Sequence, residues 1–237
     1  MDDHDKNFIT GIHNYCDRWC ERCGFTSRCT VFAIEQEYTE EETNPESDAF
    51  WQKLKNIFAE TKEILLQTAE ERGIDLSAAD EKEVGRELRA REEAVYSQDL
   101  LKMAESYAKK AHPTLEKLEP LLIEIDEETR NEMLSIIYWY QFLIAAKIFR
   151  GLDAEYDEDD EDFAEISEQD KNGSIKVALI SIDRSIMAWS GLLTKNTLAQ
   201  IKPIINLLEK IRANCEQKFP NARDFLRPGF DEIETVM

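Results

Sequence analysis

From Phe50 to Phe219 apolar residues return every three or four positions, and no segment alternates at period two over a strand's length. That spacing places one face of a helix against a core and the opposite face in water. Phe50, Trp51, Leu54, Ile57, Phe58, Thr61, Ile64, Leu65 and Thr68 mark a first long helix, with Pro45 near its start and Gly73 as its stop. A second runs from about Ala79 to Ala111, is broken or kinked by Pro113, and continues as a short piece through Leu122. A third spans about Glu127 to Arg150 and ends at Gly151. Ser174 is a good cap for a fourth, Ile175 to Leu193, which is apolar nearly all round and therefore expected to be the most buried. A fifth runs from Leu198 to Phe219, with Ile201, Ile204, Leu208, Ile211 and Cys215 on one face, and Pro220 stops it. Eight glycines and six prolines in 237 residues are too few to punctuate a chain of short strands. The expected fold class is all-α: an up-and-down helical bundle of four to five long helices over residues 45–237, preceded by a metal-clasped helical segment over residues 1–44. Trp51, Trp139 and Trp189, one on each of three helices, are expected in the core or at its edge.

The N-terminal segment carries the chemistry. Four of the five cysteines lie within fourteen residues, as Cys16-x3-Cys20-x2-Cys23-x5-Cys29. Four thiolates close a tetrahedral site without help from other ligands. On a helix ending near Arg22, Cys16, Cys20 and Cys23 share one face at i, i+4 and i+7. Gly24 lets the chain turn, and Cys29 returns from a second helix, Ser27 to Gln36, capped by Thr26 or Ser27. So short a segment has little core, so a metal would supply much of its folding energy. A [4Fe–4S] cluster is the first expectation, because clusters commonly use clustered cysteines with one further away; zinc is the alternative, although it more often uses two separated C-x2-C knuckles. Trp19, Phe25 and Phe32 are placed to shield the centre, and Arg18, Arg22 and Arg28 to offset its charge. Cys215, on an apolar face, reads as a small buried hydrophobe.

Two short resemblances bear on the centre. Cys20-x2-Cys23-x5-Cys29, with Phe25 and Arg28 between, resembles the cluster-binding cysteines of iron–sulfur RecB-type nucleases over about ten residues. That family's fourth cysteine lies far upstream, whereas here Cys16 is adjacent, and the chain has neither the PD-(D/E)xK signature nor βα organisation, so nuclease activity is not implied. Cys16-x3-Cys20-x2-Cys23 resembles the radical-SAM triplet. That family requires a βα-barrel and an iron left open, and both the helical pattern and Cys29 speak against it.

The formal net charge of −21 is local. Glu35–Glu46 holds six acids and Asp153–Glu168 holds ten, neither with a base, which leaves 34 acids against 29 bases elsewhere. Such runs read as solvated linkers, or as a docking surface for a protein with a basic patch. The second run lacks the glycine and closing glutamate of an EF-hand loop. Strong acidity counts against nucleic acid and against the anionic face of a membrane. The N-terminus, MDDHDKNF, has no basic region leading into an apolar stretch, and Leu134–Ala146 is too short to span a bilayer, so a cytoplasmic protein is expected. The oligomeric state is open.

No catalytic reaction is named by the residues. Walker, G-x-G-x-x-G, G-x-S-x-G and C-x-x-C-H motifs are absent, as is any Glu-x-x-His pair for a di-iron bundle. His13, three residues before Cys16, is a candidate support or alternate ligand. Lys147 and Arg184, set in apolar helices, read as snorkelling stems. The expected function is a soluble iron–sulfur protein for electron transfer or redox sensing. The alternatives are a zinc-stabilised helical interaction module and an enzyme with an unrecognised site inside the bundle.

Overall fold

The computed structural model describes residues 8–75, 81–157 and 164–231. Among these there is no strand, and the eight α-helices are α1 (Thr30–Gln36), α2 (Glu40–Thr43), α3 (Asp48–Glu71), α4 (Glu81–Ser97), α5 (Asp99–Leu118), α6 (Glu127–Asp153), α7 (Ala164–Gly191) and α8 (Leu198–Lys218). No described helix is long and apolar enough to cross a membrane. The chain divides into two compact units, one of Met1–Ile9 with Arg22–Ala90 and the other of Thr10–Glu21 with Arg91–Met237.

In the second unit α5 packs on α6 and α8, and α7 packs on the same two helices, so four helices ring one core. Tyr107, Ile137, Tyr140, Ile144, Ile182, Trp189, Leu208 and Ile211 are wholly removed from water there. The Trp189 indole donates to the Tyr107 hydroxyl at 3.2 Å, which satisfies both polar tips inside the core. The expected apolar face of α8, Ile201, Ile204, Leu208, Ile211 and Cys215, is buried as a set. Asp126 caps α6 by accepting from the Thr129 amide at 2.9 Å.

Several boundaries differ from the sequence reading. The long helix expected through Ala111 is interrupted at Gln98, which is extended, and α5 starts afresh at Asp99; the expected start near Ala79 lies outside the described residues. Pro113 does not end α5. It removes one helical hydrogen bond, but Ala111, Leu115 and Leu118 are buried on both sides of it and hold the helix in place. The fourth helix begins not at Ile175 but at Ala164, and Ser174, expected as its cap, is buried inside it together with Asn172 and Gly173. Gly151 does not stop α6 either. A Cβ on Gly151 would lie 2.6 Å from Ile175 Cδ1, and one on Gly173 would lie 2.4 Å from the Tyr15 ring. Both glycines are therefore close-approach points between packed elements, which sequence alone cannot tell from punctuation. In the second acidic run, Asp153 takes a two-pronged ion pair from Arg91 at 2.6 and 2.8 Å, and Glu155 pairs with Lys218 at 2.9 Å; residues 158–163 lie outside the described residues.

The first unit has a different character. Thr39 opens α2 with a reciprocal capping box to Glu42, and Glu42 also pairs with Lys53 of α3 at 3.3 Å. Ser47 caps α3 by accepting from the Ala49 amide, and Gly73, at φ +67°, follows its C-terminus as expected. Yet of the 24 residues in α3 only Ala69 is buried. Trp51, expected in a core, is 58 % exposed, and its indole donates to the Pro45 carbonyl instead.

Candidate functional site

The four clustered cysteines do not sit on the helix pair that their spacing suggested. Residues 10–16 form turns, Cys20–Arg22 is a single 3-10 turn, and among the described residues the first α-helix starts only at Thr30. Three local features compete with a helix here. Gly11 has φ +73° and Arg18 has φ +58°, both left-handed. The Asp17 carboxylate accepts from the Trp19 amide at 3.2 Å, an Asx turn in place of a helical hydrogen bond. Cys29, rather than Thr26 or Ser27, takes the N-cap position of α1.

Residues 10–21 belong to the four-helix unit and are fixed to it from several sides. Ile12 is 2 % exposed. The Tyr15 ring meets Phe225 edge-on at 4.8 Å and covers Gly173. The Asp17 carbonyl accepts from the Trp139 indole at 2.9 Å, and its carboxylate accepts from the Tyr140 hydroxyl and the Arg184 guanidinium, each at 2.7 Å. Arg184 also donates to the Tyr140 hydroxyl oxygen, which closes the triangle. Trp19 stacks on Trp139 at 5.0 Å with planes 12° apart, and meets Tyr140 edge-on at 5.8 Å. Burial, followed by the hydrogen bond to Asp17, pushes the Tyr140 hydroxyl up to about 12.

This loop brings Cys16 and Cys20 to the four-helix unit, both half-buried. Burial raises the Cys16 thiol, while Arg18 and Lys147 pull it down, and it donates to the His13 carbonyl at 3.4 Å. The Lys147 ammonium is in turn lowered by burial, with Cys16 opposing that shift. His13 contributes its carbonyl, while its ring Nδ1 is buried without a partner. Cys23 and Cys29 are half-buried in the other unit, where the Phe25 amide donates to Cys23 Sγ at 3.4 Å. All five cysteines are thiols, and Cys215 is fully buried, its thiol pushed up to about 12 by burial. Among the described residues no three His, Cys, Asp or Glu side chains converge closely enough to hold a metal ion.

The residues that sequence reading missed are those that anchor the loop. Arg184, read as a snorkelling stem, is an ion-pair partner of Asp17, and Trp139 and Tyr140 lend their polar tips to the same residue. The only signal in the sequence was a cation set within an apolar helix; nothing linked it to an aspartate 167 residues away. Comparison with known protein families, curated proteins and solved structures finds no match for this chain.

Proposed function

We propose that Cys16, Cys20, Cys23 and Cys29 ligate one metal centre, a [4Fe–4S] cluster, and that the protein serves electron transfer or redox sensing. The observation that carries this reading is the density of thiols: four within fourteen residues, in a stretch whose only regular structure before Thr30 is two single 3-10 turns. The Cys16–Cys20 part is held by its contacts to the four-helix unit, and metal binding would supply to Cys23–Cys29 the order that so short a sequence cannot. The donor set is chemically suited: the four thiols are half-buried, and the Phe25 amide donates to Cys23 Sγ, the kind of hydrogen bond that tunes a cluster's sulfur ligands, while no three of the thiols converge in this structure. Loading requires Cys16 to give up its proton and its bond to the His13 carbonyl, a step that burial, which raises this thiol, disfavours and that Arg18 and Lys147 partly offset. When bound, such a cluster supplies one-electron redox chemistry.

In this reading the α5–α8 ring is an up-and-down bundle that acts as a rigid scaffold. The anchoring of Asp17 and Trp19 fixes the Cys16–Cys20 loop on it. By their charge, the acidic runs of the sequence favour a redox partner with a basic patch. Zinc would occupy the same four thiolates but would be colourless and redox-silent, leaving an interaction module.

The test is iron, sulfide and zinc analysis of protein purified without oxygen, with each cysteine changed to serine. Iron and sulfide in equal amounts, lost in the four N-terminal variants and retained in Cys215→Ser, are the expected result. Zinc in place of iron transfers the reading to the interaction module. Full metal occupancy in Cys20→Ser or Cys23→Ser overturns the ligand assignment.

A further inference from the structure

The largest unexplained feature outside the cysteine segment is the apolar face of α3. Along it Trp51, Leu54, Phe58, Thr61, Leu65 and Thr68 follow a strict three-four alternation, the a and d positions of a heptad repeat. Phe50, Ile57 and Ile64 widen the stripe on one edge at the g positions. Trp51, Ile57, Phe58, Ile64 and Leu65 are 38 to 66 % exposed. Together these side chains present roughly 600–700 Å² of apolar surface, close to the ~800 Å² that each partner gives to a standard-size interface. A period of 3.5 is the spacing that another helix, rather than a sheet or a loop, can follow along its whole length.

We infer that α3 is the seam of a parallel homodimer, two copies of this chain pairing their α3 helices in register. Orientation is decided by the lysines along the other edge. Lys55 and Lys62 occupy successive e positions. An antiparallel pair packs e against e and would set Lys55 of one copy beside Lys62 of the other, two like charges at close range. A parallel pair packs g against e, so Lys55 lies beside Phe50 of the second copy and Lys62 beside Ile57. Each aliphatic stem then covers an apolar side chain while its ammonium stays in water. The local charge also suits self-pairing: α3 holds three lysines against five acids, whereas the whole chain carries −21. Two copies of so acidic a chain repel at long range, so salt strengthens this dimer by screening, opposite to the effect of salt on a basic partner docked at the acidic runs.

Analytical ultracentrifugation of the full chain, reduced and kept without oxygen, tests this. The expected result is a reversible monomer–dimer equilibrium that tightens as salt is raised. Phe58→Glu and Leu65→Glu, both at sites already open to water, should each weaken it by about tenfold or more with helix content unchanged. Lys62→Glu separates the orientations: it leaves a parallel dimer no tighter, whereas in an antiparallel one the introduced carboxylate would attract Lys55 of the second copy. A chain that stays monomeric at all concentrations, a dimer unaffected by both apolar substitutions, or a dimer tightened by Lys62→Glu overturns the inference. None of these outcomes depends on metal content, so the cluster assignment stands or falls separately.

Discussion

Helices α3 and α8 carry equally clear amphipathic patterns, yet their fates differ. In α8 six side chains of the apolar face are buried by α5 and α7, whereas in α3 a single alanine is buried. The contrast shows what a hydrophobic stripe encodes. It states that a face gains free energy by leaving water, but it does not name what covers it. For α8 the cover is two further helices of the same unit. For α3 it is, by the inference of a homodimer, a second copy of the chain.

That comparison is broken most directly by truncating one buried and one exposed aromatic. Trp189→Ala, at a site with no exposure and a hydrogen bond to Tyr107, should cost about 3–5 kcal/mol in chemical denaturation. Gly173→Ala comes next. Its new methyl would lie 2.4 Å from the Tyr15 ring and 2.9 Å from Phe225, so the ring must move, at about 1–3 kcal/mol. Amide exchange should rise over residues 10–16 more than in α8, since Tyr15 belongs to the docked loop. Equal protection in both regions would show that the loop is not held by that contact.

Removing the loop's polar anchors should have a smaller effect. Tyr140→Phe and Arg184→Met should each cost about 1 kcal/mol and loosen residues 17–19, read by exchange and by the solvent-sensitive fluorescence of the stacked Trp19–Trp139 pair. No spectral change in either variant would place the stack outside the network's control. The Cys215 thiol makes a pH-dependent contribution of known sign. Its acid form is favoured by burial up to about 12 in the folded protein against 9.0 for the ordinary thiol. The stability it confers is therefore whole below about pH 9 and is lost as pH rises toward 12, at roughly 1 kcal/mol per pH unit. Cys215→Ala should flatten that alkaline decline relative to the parent chain; parallel curves would show that the thiol is not the titrating group. The smallest effect closes the comparison: Phe58→Ala, measured at dilution where copies do not pair, should change stability by less than about 0.5 kcal/mol. A loss as large as that at Trp189 would mean that α3 packs within its own chain.

Much of the helical content was legible in the residues themselves, because periodicity and capping are local. Gly73 and Pro220 mark ends that follow from their own chemistry, whereas the caps Ser47 and Asp126 were seen only in the structure. The cysteine spacing likewise named a candidate centre and its four ligands without any structure. The conformation of that segment was not legible, since a helix over Cys16–Cys23 satisfies the spacing, and the left-handed Arg18 and the Asx turn at Asp17 rule it out.

The sequence by itself determined an all-helical chain, where its long apolar faces lie, and where its thiols cluster. Each of these depends on residues within a few turns of one another. Only the tertiary structure decided that Gly151 and Gly173 are points of contact rather than stops, that Asp17 is claimed by Tyr140 and Arg184, and that the face of α8 is covered while that of α3 is open. Those outcomes depend on side chains far apart in the chain, more than a hundred residues for Asp17 and its partners, meeting at a few ångströms, and no local pattern in a chain records such a meeting.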